Sequence, residues 1–201
     1  MDREQLFKIC NELGIKLIVS DSYIREKAGY YENYNQIESN NGEWYYSEMN
    51  FENRPSPDKK EMKRFHYKEE AVKYFFLKTL RKFYINKIHT PNNSIRNIRT
   101  FEETKKYFDT LGIMKECYCF DKMTPQSVFA EMLNGQIVVS YIDQKNKIKF
   151  STKPLNNERG VFVMYRLTYS FHLLKLVEKT YIESGVLKRK FSDDDIEIFI
   201  K

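Results

Sequence analysis

The cysteines and histidines of this chain are spaced in a way that argues against a metal site or a disulfide. Cys117 and Cys119 enclose a single residue, a loop too short for an ordinary disulfide, and Cys10 lies far from both. A structural zinc needs about four cysteine or histidine ligands in paired clusters, whereas the 3 histidines are scattered. We expect reduced thiols, no metal and no cofactor, and we expect IMKECYCF to form a strand.

Hydroxyl and carboxylate side chains are abundant, but no motif that activates them is present. A catalytic nucleophile needs a base within hydrogen-bond reach and a group that orients that base. Sequences usually reveal such an arrangement by glycine-framed turns. With 7 glycines, the chain contains no GxSxG, GxGxxG or P-loop motif. The sequence therefore predicts a protein that is not an enzyme.

Aromatic side chains make up 15% of the chain, and several are concentrated in the polar segment AGYYENYNQIESNNGEWYYSEM (28–49). Such residues anchor protein interfaces because they bury a large area and keep a hydrogen-bonding group. Trp44 and Tyr46 would point one way on a strand and Tyr45 the other, so only part of the cluster fits the core. The alternative is that the tyrosines cap the core with their hydroxyls in water. The aromatic residues predicted to bind a partner are Tyr30, Tyr31, Tyr34, Trp44 and Tyr46.

The positive charge of the chain is concentrated in one segment. Residues 58–87 contain ten basic and four acidic residues, which accounts for the whole net charge of +6. Lys78, Arg81 and Lys82 share one helix face at i, i+3 and i+4. This face is either solvated or a patch that binds an acidic protein or a phosphate backbone. We predict that these three residues and Arg64 contribute to partner binding.

Asp193, Asp194 and Asp195 form an acidic pole near the end of the chain. Three consecutive carboxylates either begin a helix or strand and face water, or they are presented to a basic partner. They could also coordinate a cation, but the further oxygen ligands at loop spacing that are typical of a cation site do not follow them. We include them among the predicted partner-binding residues.

Two parts of the sequence resemble each other, which indicates an internal duplication. DREQLFKICNELGIK (2–16) aligns without a gap with TFEETKKYFDTLGIM (100–114). Both segments predict a helix that begins with a capping box and ends at a glycine. Further along, Asn-Gly precedes a β-branched or aromatic run in both halves, at 41–42 and 134–135, which predicts two tight hairpins. Each half then closes on an amphipathic helix.

These elements predict an α+β fold made of two related units, each a helix, an antiparallel sheet and a second helix. The first unit is predicted over 1–88 and the second over 100–201, with the polar segment 89–99 as a linker. The alternating Ile196, Ile198 and Ile200 predict an additional C-terminal strand. The units form either two domains in tandem or one pseudo-symmetric domain.

The order of elements in the first unit resembles that of small α+β immunity proteins of bacterial polymorphic toxin systems. The resemblance covers about residues 1–85 and, more faintly, 100–183. The residues that carry it are Asn41 to Trp44, Tyr46, Phe65, Glu69 to Ala71, Tyr74 and Phe75. It implies a protein that binds a cognate toxin domain in the cytoplasm of the producing cell and blocks it. Because the chain is basic, an acidic toxin or one held by aromatic contacts fits better than a nuclease.

No stretch approaches the ~20 apolar residues of a membrane span, and the charged start of the chain is unlike a signal peptide. We therefore expect a cytoplasmic protein that does not bind membranes. The predicted function is an immunity protein that neutralises a cognate toxin or other effector protein by direct binding. The alternative is a nucleic-acid-binding protein that uses the basic strand and helix of 58–87.

Overall fold

The predicted α+β class is confirmed by the computed structural model, which describes residues 1–52, 56–89 and 93–201. Within these residues the chain forms five α-helices and two β-sheets. It divides into two compact units, one made of Met1–Phe83 with Glu178–Lys190 and the other of Tyr84–Val177 with Phe191–Lys201. The duplication and the boundaries at 88 and 100 remain predictions.

The first half of the chain contains a helix, five strands and a second helix. Their bounds are α1 Arg3–Leu13, β1 Leu17–Val19, β2 Tyr23–Glu26, β3 Tyr34–Asn40, β4 Glu43–Asn50, β5 Asp58–Phe65 and α2 Lys68–Ile88. The second half contains three helices and four strands among the described residues. Their bounds are α3 Phe101–Thr110, β6 Tyr118–Cys119, β7 Ser127–Leu133, β8 Gln136–Ile142, β9 Ile148–Ser151, α4 Asn157–Glu183 and α5 Asp193–Ile200.

Both predicted capping boxes are present. The Asp2 carboxylate accepts from the backbone N–H of Gln5 at 2.8 Å, and the Gln5 side chain accepts from the backbone N–H of Asp2 at 2.9 Å. Thr100 and Glu103 make the corresponding pair, with both distances at 3.2 Å. Backbone N–H groups that lack a carbonyl partner at the helix start are thereby satisfied. Helix α1 then ends at Gly14, whose φ of 79° is left-handed.

The first sheet is antiparallel, with strand order β1-β2-β3-β4-β5. Strands β3 and β4 are joined at Asn41-Gly42, where φ is 50° and 80°, as a type I′ turn requires. The predicted hairpin is therefore confirmed. Arg25 of β2 pairs with Gln36 of β3, which pairs with Ser47 of β4. These three side chains consequently lie on one face of the sheet.

The second sheet has the strand order β6-β7-β8-β9. Its predicted hairpin at Asn134-Gly135 is confirmed, with φ of 50° and 76°. The prediction that this sheet is antiparallel is wrong for β6, which runs parallel to β7. Apolar periodicity predicts a strand and its buried side, but not the direction in which the strand pairs. The predicted strand around the paired cysteines is also shorter than expected, since Cys117 lies in a 3-10 turn.

The apolar stripe of α2 lies in the core of the first unit. Val72, Phe75 and Phe76 are fully buried, as their helical spacing predicts. Phe83 follows Phe76 at the i, i+7 spacing of one helix face but is 39% exposed. The stripe is therefore buried along the earlier turns of the helix, before Phe83.

The predicted C-terminal strand is wrong, because the last residues form helix α5. Ser192 accepts from the backbone N–H of Asp195 at 3.2 Å, and the Asp195 carboxylate accepts from the backbone N–H of Ser192 at 3.0 Å. Alternating isoleucines are compatible with a strand, but the buried side chains follow helical spacing. They are Ile196, Phe199 and Ile200. The signal for this helix is Ser-x-x-Asp before an apolar run.

The predicted linker 89–99 is in part a structural segment of the second unit. Residues 90–92 of that linker lie outside the described residues. Directly after them, the side chain of Asn93 donates to the Tyr165 hydroxyl at 2.8 Å and accepts from the Tyr107 hydroxyl at 2.7 Å. Asn93 is buried, so these bonds satisfy polar groups that water does not reach.

Candidate functional site

An open cleft of about 480 Å³ lies on the first unit, beside the loop that joins β2 to β3. We call it the aromatic cleft and define it by the residues Ile18, Arg25, Tyr30, Tyr31, Tyr34 and Phe51. Its volume is in the range of about 300–1,000 Å³ that is common for ligand pockets. The cleft brings together three of the residues that the sequence predicts to bind a partner.

The loop that carries Tyr30 and Tyr31 is held by its own hydrogen bonds. The backbone N–H of Gly29 donates to the Glu32 carboxylate at 2.7 Å, and the backbone N–H of Glu32 donates to the Gly29 carbonyl at 3.3 Å. Tyr31 has a φ of 63°, a left-handed conformation that costs a non-glycine residue about 1–3 kcal/mol. T-shaped ring contacts of Tyr31 with Tyr30 at 4.8 Å and with Phe51 at 5.9 Å help to offset that cost.

The aromatic side chains of the cleft remain accessible to water. Tyr30 is 90% exposed and Tyr31 is 37% exposed. Tyr34 is half-buried and lies against Phe51 with a distance of 6.3 Å between ring centroids. The cleft therefore presents a connected aromatic surface to a molecule that enters it.

Two charged side chains at the cleft differ in their partners. The Arg25 guanidinium lies between two rings, with Cζ 5.9 Å from the Tyr23 centroid and 5.3 Å from the Tyr34 centroid. Its Nη1 donates to the Tyr34 hydroxyl at 3.3 Å, whereas its Nε is buried without an acceptor among the described residues. The Glu26 carboxylate accepts from a backbone N–H of β3 at 2.6 Å and from Lys82 Nζ at 3.0 Å. Arg25 thus retains unused hydrogen-bonding capacity, and Glu26 is already paired.

Trp44 and Tyr46, which are predicted to bind a partner, lie in the core of the first unit and not on an exposed surface. Trp44 is 9% exposed and Tyr46 is fully buried. The Tyr46 hydroxyl donates to Oδ1 of Asn35 at 2.7 Å, and its ring packs edge-on against Tyr74 at 4.9 Å. Burial raises the pKa of Tyr46 far above its usual range. The two residues share one direction, as strand alternation predicts, but that direction is inward.

Carboxylates neutralise much of the predicted basic surface. The ion pairs are Arg64 with Glu43, Lys78 with Glu61 at 2.7 Å, and Lys82 with Glu26 at 3.0 Å. Lys78 is only 17% exposed, and burial lowers the pKa of Arg81. Lys78 and Arg81 are therefore less accessible than side chains of a fully solvated face, and their predicted role in partner binding stays a prediction. Counting charges along the sequence does not show which acidic residues of other strands lie against the basic ones in the fold.

The three consecutive aspartates begin α5, where negative charge favours the helix N-terminus. Asp193 accepts from the Tyr141 hydroxyl at 2.8 Å. Asp195 is buried and completes the capping box. Asp194 forms an ion pair with Lys149 at 2.6 Å, a contact that raises the pKa of that lysine. Asp195 is therefore not exposed to a partner, and these contacts are internal to the second unit. The predicted role of the three aspartates in partner binding stays a prediction.

Two of the three cysteines, Cys10 and Cys117, are buried and have little capacity for chemistry. All three are free thiols, and burial raises the pKa of Cys10 and of Cys117 to about 12. Thiolates, the reactive form, are therefore scarce at these two positions at neutral pH. Among the residues that the structure describes, no three His, Cys, Asp or Glu side chains are grouped so that they could hold a metal ion.

Sequence analysis does not single out Ile18, Arg25 or Phe51 of the aromatic cleft. The available signal for Arg25 is its alternation with Tyr23 in YIRE, which places both on one strand face. The surplus of positive charge lies at 58–87, a segment that does not include Arg25, and so gives no indication of its role. Phe51 reaches the cleft because β3 pairs with β4, which local sequence does not reveal.

Comparisons with models of protein families, with curated proteins and with solved structures return no match. In the described part of the chain, no helix combines the length and the apolar character needed to cross a membrane. Function is therefore inferred from the geometry of the cleft itself.

Proposed function

We propose that the protein binds a partner protein through the aromatic cleft and acts as an immunity protein, which neutralises a cognate toxin by direct binding. The observation that carries this proposal is the 90% exposure of Tyr30 beside the rings of Tyr31, Tyr34 and Phe51. Connected apolar surface marks sites of interaction, and tyrosine is frequent among the residues that dominate binding energy. An inhibitor needs such a surface and no catalytic group.

Nucleic-acid binding is not favoured by the contacts of the basic residues. Phosphate binding depends on lysines and arginines that are available to replace counterions. Arg64, Lys78 and Lys82 are each paired with a carboxylate of the first sheet. Their positive charge is therefore partly compensated before any phosphate approaches.

We also infer that the two halves of the chain derive from one duplicated α+β unit. Supporting features are a helix that begins with a capping box in each half, an Asn-Gly hairpin with positive φ at both positions, and a long closing helix. The parallel pairing of β6 is a difference between the halves.

The function is tested by co-expressing the full chain with the product of the gene immediately upstream in the source strain. We expect relief of the growth arrest that this product causes, and a stoichiometric complex that survives nuclease treatment. Tyr30→Ala should weaken binding roughly tenfold or more, as loss of an interface anchor does. Tyr67→Ala is the matched control, since Tyr67 is 67% exposed and does not line the cleft.

Two results would contradict the proposal. One is recovery of RNA or DNA that dissociates at high salt, without any protein partner. The other is a complex that Tyr30→Ala and Tyr67→Ala leave equally intact, because binding would then lie outside the cleft.

A further inference from the structure

Arg25 is held in a fixed place within the aromatic cleft. On its strand it pairs with Ile18 of β1 and with Gln36 of β3. The rings of Tyr23 and Tyr34 flank its guanidinium, and such stacking restricts the rotation of an arginine side chain. A planar group with several N–H donors is thus oriented before anything binds.

Arg25 differs from several cations of the first unit that form ion pairs. Five of those cations have a carboxylate partner: Lys59 with Glu38, Lys60 with Glu52, Arg64 with Glu43, Lys78 with Glu61, and Lys82 with Glu26. Arg25 donates to a tyrosine hydroxyl, and its buried Nε has no acceptor among the described residues. The guanidinium therefore has N–H donors that no carboxylate of the described residues occupies.

We propose that Arg25 binds an aspartate or glutamate carboxylate of the partner protein, whose neighbouring apolar side chain packs on the rings of the aromatic cleft. Carboxylates match the guanidinium fork with two parallel hydrogen bonds. Tyr30, Tyr31, Tyr34 and Phe51 supply the apolar surface beside it. The inference rests on the proposed function, because it names the chemistry of the partner at the same cleft.

The charge of the whole chain agrees with an acidic partner segment. The net charge is +6 and the isoelectric point is about 9.0. Complementary charge steers association and selects against partners of like charge. A carboxylate is therefore attracted toward this protein before the short-range contact with Arg25 forms.

The test follows the Arg25 Nε–H resonance by NMR while the full chain is titrated with two peptides. Acetyl-Phe-Glu-amide carries the carboxylate, and acetyl-Phe-Gln-amide has nearly the same shape without the charge. We expect a saturable shift with the glutamate peptide and roughly tenfold weaker binding of the glutamine peptide, since hydrogen bonds between charged groups are the strong ones. Arg25→Gln should remove this selectivity, whereas Arg3→Gln, which alters an arginine of α1 outside the cleft, should preserve it.

Several outcomes would overturn the inference. These are equal binding of both peptides, no binding of either, or acetate alone shifting Arg25 with the affinity of the glutamate peptide, which would indicate a small-carboxylate pocket. If Arg25→Gln does not fold, the difference in affinity between the two peptides on the unaltered chain still tests the inference. A toxin complex weakened by Tyr30→Ala but unaffected by Arg25→Gln would refute this inference and leave the proposed function standing.

Discussion

Alternation along β4 decides which tyrosines of the first unit belong to the core. Tyr46 is fully buried and bonds to Asn35. Its neighbour Tyr45 is half-buried and donates its hydroxyl to Glu43 at 3.0 Å. Because successive side chains point to opposite faces, one register shift would exchange the two environments. Adjacent residues of one type therefore have different roles.

The burial of Tyr46 predicts a loss of stability when only its hydroxyl is removed. Tyr46→Phe leaves the side-chain oxygen of the buried Asn35 without its donor. We expect the free energy of unfolding to fall by about 1–3 kcal/mol, measured by urea denaturation. Tyr45→Phe is the control and should change stability by about 0.5 kcal/mol or less. Equal effects of the two variants would refute the assignment of Tyr46 to the core.

A register shift in the first sheet determines how the basic helix α2 is compensated. The pairing of β4 with β5 shifts between Tyr46 and Glu48, and Glu61 on β5 has a φ of 50°. Bulges of this kind redirect side chains. Here Glu61 accepts from the Tyr74 hydroxyl at 3.0 Å and from Lys78 at 2.7 Å. The irregularity in β5 thus places the Glu61 carboxylate where it neutralises the charge of Lys78 on α2.

The packing of α4 on β8 depends on a residue without a side chain. A Cβ atom at Gly160 would lie 2.4 Å from the Cβ of Ile137, closer than atoms in a packed core approach. Ile137 is fully buried, so the clash cannot be relieved into solvent. Glycine is therefore required here by the distance between helix and strand.

Gly160→Ala tests that close approach. Alanine is a better helix former than glycine by about 1 kcal/mol, but overpacking a core costs about 1–3 kcal/mol. We expect a net loss of up to roughly 2 kcal/mol in the free energy of unfolding, with Arg159→Ala as an exposed control on the same helix. A stabilised Gly160→Ala variant would show that the helix can move away from Ile137.

At the scale of the whole molecule, sequence order and compact units do not coincide. Glu178–Lys190 belongs to the same unit as Met1–Phe83. Within that unit the Gln5 side chain donates to the carbonyl of Val186 at 2.7 Å, and Leu187 is buried. A late segment of the chain therefore completes the unit that contains the aromatic cleft.

Because Glu178–Lys190 is part of the first unit, we predict that residues 1–88 do not fold independently. The fragment lacks Leu187 and the other residues of Glu178–Lys190, and the apolar surface that they cover would be exposed to water. We expect no cooperative thermal transition by near-UV circular dichroism, in contrast to the full chain under the same conditions. A cooperative transition and a bound partner for the isolated fragment would contradict this expectation.

The sequence alone determined features that depend on residues a few positions apart. The capping boxes, the two Asn-Gly hairpins and the early apolar stripe of α2 are of this kind, because backbone donors, turn dihedrals and helical faces are local properties. The capping signal at Ser192 was equally local, but the alternating isoleucines that follow also fit a strand. The sequence likewise located the tyrosine segment, since a polar setting disfavours full burial of every ring.

The tertiary structure decided features that depend on distant segments. It placed Trp44 and Tyr46 inward and brought Phe51 to the cleft. Within the described residues it left Arg25 without a carboxylate partner, whereas Lys82 pairs with Glu26. Strand pairing and helix packing create these contacts, and side-chain periodicity does not specify which strand or which direction is paired. Residue types therefore predicted a cluster of accessible aromatic side chains, and only the folded chain showed which tyrosines line the cleft and which cation lies beside them.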